Sequence, residues 1–230
     1  MLSNFVSVDD KNRLSKKKII IKGILYYLKS LFILVIIILS FIVVFNLFGI
    51  DTEPLKYPIE SDIDEVNEKG VFYALFFVVF FGPFIEELAF RLGLSFKRMH
   101  IFISVWAFTY MISSLLLSSG YFDDIHYKLP IAILVSALIY CRSQKIYDNI
   151  QHKYGRNITW ISIILFGFLH VTNYDIEPIT LLPIYFMMCL PQVLMGLVLV
   201  YYRVNLGFFY AFAFHSLLNG ISFSIFMITT

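Results

Sequence analysis

The sequence predicts an all-α, polytopic transmembrane bundle of about seven helices, with an eighth, re-entrant or interfacial, as the alternative count. Three observations predict it. The 230 residues are 59% hydrophobic and only 15% charged, with a mean hydropathy of +0.79, far from the balance of a soluble domain. Apolar runs long enough to cross about 30 Å of hydrocarbon recur along the chain. No segment alternates in the manner of a membrane β-barrel strand.

The elements follow in order. Residues 1–23 read as a basic cytoplasmic tail carrying Lys11, Arg13, Lys16, Lys17, Lys18 and Lys22. Residues 24–70 read as an anchor helix near 24–50 and an acidic external loop with Pro54 and Pro58. The anchor's apolar stretch is too long for a signal-peptide core and no small-residue cleavage site closes it, so it reads as a retained span. Residues 71–230 form the transmembrane core, with helices near 71–90, 101–119, 129–141, 158–173, 178–202 and 206–228. The helices at 129–141 and 158–173 are short for spans. No internal repeat or low-complexity tract divides the core.

Alternating these spans from a cytoplasmic amino terminus puts fourteen lysines and arginines on the inner side. Only Lys56, Lys69 and Lys128 fall outside, together with eleven acidic residues. That asymmetry follows the positive-inside rule. High Ile, Phe, Lys and Asn content points to an AT-rich bacterial genome, and so to an integral protein of a bacterial inner or plasma membrane. Cys141 and Cys189 lie 48 residues apart with no metal or redox spacing around them, and are expected to be inert packing residues.

Of the sixteen acidic residues, only Glu86 and Glu87 fall within a predicted span. An ionisable group in a bilayer is expensive and by default marks a functional site. Glu87 and Arg91 are four apart and share a helix face, so they are expected to pair. Glu86 points about 100° away and must find other partners. Pro83 removes a backbone donor and is expected to kink the helix just before the glutamates. His170 closes Phe166-Gly167-Phe168-Leu169-His170 in the fifth span. His215 and Asn219, in the last span, are four apart and share a face. Counting about 1.5 Å per residue from the predicted span ends places Glu86, His170 and His215 within about two turns of one another, in the inner half of the membrane.

Such a set suits hydrolysis by an activated water. A carboxylate acts as general base on the water, a histidine shares the proton transfer, and a second histidine with an asparagine amide stabilises the oxyanion. No HExxH, no GxSxG and no intramembrane aspartate offers another hydrolase chemistry. Glu86, His170 and His215 are also a ligand set known from catalytic zinc sites; the metal-free reading is preferred.

The three motifs together resemble the CPBP family, the CAAX proteases and bacteriocin-processing enzymes also called Abi or type II CAAX prenyl endopeptidases. The family pattern is EExxxR, FxxxH and HxxxN (or a small residue in place of the Asn) on separate transmembrane helices, and every motif position is matched in order. The resemblance spans residues 70–228. It implies that Glu86 activates water with His170, that His215 and Asn219 form the oxyanion hole, and that Glu87 and Arg91 are an accessory pair. It also implies a peptide or membrane-protein substrate, lipidated in the prenyl-type members. No nucleic-acid partner is expected.

Two other classes compete. A non-catalytic immunity or scaffold protein would use the same polar residues as interhelical glue, worth about 0.6 kcal/mol per bond, and would tolerate loss of Glu86. A transporter would line a path across the whole bilayer, whereas these groups cluster in one half.

Overall fold

The computed structural model describes residues 15–47, 69–117, 122–174 and 182–229. Most of the predicted basic tail, the acidic loop 51–68 and Asp175 and Glu177 lie outside these described residues. Every regular element among the described residues is helical. In chain order they are α1 (Lys16–Leu47), α2 (Val71–Leu75), a π-helical segment (Phe76–Phe81), α3 (Gly82–Phe90), a 3₁₀ turn (Leu92–Ser95), α4 (Arg98–Leu116) and α5 (Ile125–Tyr140). There follow α6 (Gln144–Leu169) with a closing 3₁₀ turn (His170–Asn173), α7 (Leu182–Met188), α8 (Leu190–Asn205) and α9 (Phe208–Thr229).

Length and composition make this a helical membrane protein. Lys16–Leu47, Val71–Ser95, Arg98–Leu116, Leu182–Asn205 and Phe208–Ile225 are each long and apolar enough to cross a bilayer. Helices α5 and α6 pass the same test only jointly, as a pair bent by 87°, which raises the count to six. The reason is local. Sixteen residues of α5 rise about 24 Å, short of the hydrocarbon thickness, and the first turns of α6 carry Gln144, Lys145, Asp148, Lys153 and Arg156. The expected spans at 129–141 and 158–173 fall on this bent pair. Large apolar side chains such as Phe72, at 90% exposure, face outward, as lipid-facing positions do.

The chain divides into two compact units that interleave in sequence. One takes in the described chain up to Phe76 together with Ile163–Gly207; the other takes in Phe77–Ser162 and the chain from Phe208 onward. The predicted core 71–230 is therefore shared between them.

In the first unit, α1 packs on α8. The Tyr202 hydroxyl donates to the Ile20 carbonyl at 2.7 Å. Gly23 makes room for that ring, since a Cβ there would lie 2.5 Å from it. Gly167, inside the FxxxH motif, lets the backbones of α6 and α8 approach: its Cβ would come within 2.7 Å of the Val193 main chain. Small residues serve this purpose where membrane helices meet. Tyr174, Ile184, Tyr185 and Cys189 form the buried cluster at the other end of the unit.

In the second unit, α3 packs against α4 and α9, and α4 against α5. Pro83 lies where the π-helical segment runs into α3 and contributes no N–H to that stretch of helix. The last carbonyls of α3 have no donor within the helix, and two serines supply them. Ser104 of α4 donates to the Ala89 carbonyl at 2.6 Å and Ser162 of α6 to that of Phe90 at 2.6 Å. Gly93 admits Ser104, whose Oγ would be 2.8 Å from a Cβ there. Phe96 then turns the chain in a left-handed conformation (φ 55°), its carbonyl held by the Gln144 amide at 2.9 Å.

Two expectations are corrected. Cys141 does not pack; it is exposed at the end of α5, where the chain turns away, while Cys189 is buried. Lys128, expected ahead of its span, lies in the first turn of α5 and is fully buried, its Nζ 5.8 Å from the centre of the Tyr110 ring.

Candidate functional site

Helix α3 carries two consecutive carboxylates, and consecutive helical positions diverge by about 100°. Glu87 turns inward and is fully buried, whereas the Glu86 side chain stays 23% exposed. Arg91, one turn on from Glu87 and also buried, brings a guanidinium nitrogen to 3.4 Å from Glu87 Oε1. Helix α9 delivers His215, buried as well, between the two glutamates. Its Nδ1 lies 3.1 Å from Glu87 Oε1, the geometry of an N–H donated to a carboxylate. Its Nε2 lies 3.6 Å from Glu86 Oε2, too far for a hydrogen bond. That Glu86 oxygen accepts no hydrogen bond, and neither does Glu87 Oε2.

The arrangement resolves the two carboxylates into two settings. Glu87 is enclosed, countered by Arg91 and bonded to His215, which fixes the direction of the imidazole in the way a triad acid orients its histidine. Glu86 is partly open and has an oxygen turned toward the other ring nitrogen. A Glu86–His215 pair held this way can take a proton from a water and pass it on.

Asn219 is one turn past His215, yet its amide is engaged elsewhere. Nδ2 donates to the Val78 carbonyl in the π segment at 3.0 Å. His170 belongs to the first unit. Its Nδ1–H donates to the Phe166 carbonyl at 2.8 Å, with the ring centroids of the two side chains 4.9 Å apart. Phe166 of the FxxxH motif thereby makes Nδ1 the nitrogen that carries a hydrogen and fixes the direction of the ring.

Within the second unit, then, Glu86, Glu87, Arg91 and His215 come together, with Asn219 on the adjoining turn. Among the described residues no three His, Cys, Asp or Glu side chains are grouped as a metal would require. Both ring nitrogens of His215 face carboxylates, Nδ1 that of Glu87 and Nε2 that of Glu86.

Reasoning from sequence did not single out Ser104 and Ser162, which hold the end of α3, or Ser216, whose buried Oγ has no hydrogen-bond partner. The one available signal was a hydroxyl inside an apolar run, which is common at membrane helix contacts. No protein-family model, curated protein or solved structure matches the chain, so its motifs and the geometry around Glu86 are what any functional reading stands on.

Proposed function

We propose that the chain is an intramembrane endopeptidase of the CPBP type, crossing the membrane seven times with its amino terminus in the cytoplasm. Glu86 is the general base. It takes a proton from water as the water oxygen attacks the peptide carbonyl carbon; the tetrahedral oxyanion collapses, the C–N bond breaks, and the proton passes to the leaving amine. His215 lies beside Glu86 to share that proton or to donate to the oxyanion. His170 is the second acid–base group, as the resemblance implies. Glu87 and Arg91 hold His215 in place.

One observation carries this reading. Of two adjacent glutamates, one is sealed in an ion pair and the other is partly open beside a histidine held from behind, the division of labour expected of an orienting acid and a working base. The motifs EExxxR, FxxxH and HxxxN add the reaction class. The substrate is a peptide or membrane protein.

The full burial of Glu87, Arg91 and His215 also suits a second reading, a non-catalytic membrane scaffold or immunity protein clamped by an ion network. Comparing peptide termini in membranes that carry the wild type, Glu86→Gln or His170→Ala at matched expression separates the two. Hydrolysis predicts new termini that disappear in both variants. Identical termini in all three membranes would sink the protease reading and leave the clamp.

A further inference from the structure

We infer that the first turns of α6 form a binding ridge for the headgroups of anionic phospholipids. The ridge lies away from Glu86 and does not depend on the hydrolase reading. Only its assignment to the cytoplasmic leaflet rests on the orientation proposed above.

Helix α6 opens with Gln144-Lys145-Ile146-Tyr147-Asp148-Asn149-Ile150, followed by Gln151-His152-Lys153-Tyr154-Gly155-Arg156. Lys145, His152 and Arg156 stand at i, i+7 and i+11, which brings all three within about 40° of one another around the helix. Lys153 adjoins them, and the ridge runs about 16 Å along the axis. All four side chains are exposed. Asp148 is the only acidic residue of α6, and it accepts from the Gln144 amide at 2.9 Å. Among the described residues no carboxylate pairs with Lys145, Lys153 or Arg156.

The opposite side of the same turns is apolar. Ile146, Ile150 and Tyr154 follow at i, i+4 and i+8. Ile146 and Tyr154 remain 41% and 46% exposed, whereas Tyr147 is buried and its hydroxyl donates to the Ile139 carbonyl. A helix with an unneutralised basic ridge and an open apolar side suits neither water nor hydrocarbon. It suits the boundary between them.

The corner ahead of α6 holds it at that level. Helix α4 begins at Arg98 and α5 ends at Tyr140. The Arg98 guanidinium lies 3.9 Å from the centre of the Tyr140 ring, and its Nε donates to the Tyr140 carbonyl at 2.7 Å. From α6, the Gln144 side chain accepts the Arg98 main-chain N–H at 2.9 Å. Tyrosines and basic residues at the ends of apolar helices mark the membrane–water interface. Beyond the corner the chain bends by 87° instead of continuing along α5. Lys97 and Arg142, both exposed, flank the bend. A phosphodiester offers unesterified oxygens to ammonium and guanidinium groups, and the long stems of Lys and Arg let their charges reach it while the apolar side stays lower. A zwitterionic headgroup brings a cation of its own, so the ridge selects lipids of net negative charge.

The test measures the melting temperature of the full chain in neutral detergent with added phosphatidylglycerol, phosphatidylcholine or inorganic phosphate. Phosphatidylglycerol should raise it by several degrees more than either of the others. The triple variant Lys145→Gln, Lys153→Gln, Arg156→Gln should melt like the wild type without lipid and lose at least half of that increment. Lys16→Gln, Lys17→Gln, Lys18→Gln removes the same charge from α1 and should keep it. An undiminished increment in the α6 variant overturns the inference, as does an equal loss in the α1 variant, which would make net charge the cause. Stabilisation by inorganic phosphate as large as by phosphatidylglycerol also overturns it, leaving a simple anion site. A spin label at Tyr154→Cys, with Cys141→Ser, gives an independent reading in phosphatidylglycerol vesicles. Relaxation by oxygen from the lipid phase should exceed relaxation by an aqueous nickel complex. The reverse order overturns the inference and turns this face to a partner in solution.

Discussion

Glu86 and Glu87 differ by one position and by almost everything else. Replacing Glu86 with Gln keeps shape and hydrogen-bonding capacity while removing the base, so the protein should fold at an unchanged melting temperature and lose peptide-bond hydrolysis by at least about 10²-fold. Glu87→Leu should do the opposite kind of damage. It removes the carboxylate that stands 3.4 Å from the fully buried Arg91 guanidinium, and removing one partner of a buried pair costs about 3–5 kcal/mol. Adding Arg91→Met to Glu87→Leu should recover most of that loss, which thermal unfolding in detergent can measure. The pairing of Glu87 with Arg91 was legible from their spacing alone, and the two stand at 3.4 Å. The meeting of His215 with both glutamates was not, because it depends on how α9 is rotated against α3, and an apolar helix exposed to lipid gives little amphipathic signal to fix its rotation.

At the level of elements, the helical class and most helix positions were written in the apolar runs, since each run must satisfy its own backbone in lipid. The π segment was not. Phe76–Phe81 has no composition that distinguishes i+5 from i+4 bonding, and Pro83 alone suggested a kink. One of its carbonyls, that of Val78, accepts from a side chain 141 positions away, the Asn219 amide. The ends of α3 depend on distant groups in the same way. Ser104→Ala and Ser162→Ala each leave a buried carbonyl without its donor and should each lower stability by about 1–3 kcal/mol. The two effects should exceed those of Ser40→Ala, whose hydroxyl only bonds back to its own helix, to the Ile36 carbonyl. Gly167→Val is predicted to be worse for helix packing than for helix formation. Its Cβ meets the main chain of Val193, which cannot swing aside, so α6 and α8 must separate at a cost of about 1–3 kcal/mol.

Across the whole molecule, the charge asymmetry of the sequence predicts topology, and the exposure of Cys141 supplies a native reporter. A membrane-impermeant thiol reagent should label Cys141 in inside-out vesicles and fail to do so in right-side-out vesicles or spheroplasts, while Cys189 stays unlabelled in both. Labelling from the outer face would reverse the orientation proposed above. The count of spans was harder to read than their existence. Residues 129–173 contain enough apolar sequence for two helices, and only the 87° break between α5 and α6 reveals how that sequence is divided.

The bond from Tyr202 to Ile20 bears on how the protein must be handled. The resemblance begins near residue 70, and anyone seeking a minimal fragment would trim away what precedes it. Yet α1 covers Tyr202, whose ring is 2% exposed and whose hydroxyl finds its acceptor on the Ile20 main chain. A version beginning at residue 70 would open that ring to lipid, take away the Ile20 acceptor of its hydroxyl and leave the face of α8 bare. Such a fragment should be recovered in low yield or aggregated, and its inactivity would say nothing about the chemistry of Glu86. The anchor belongs to the working molecule.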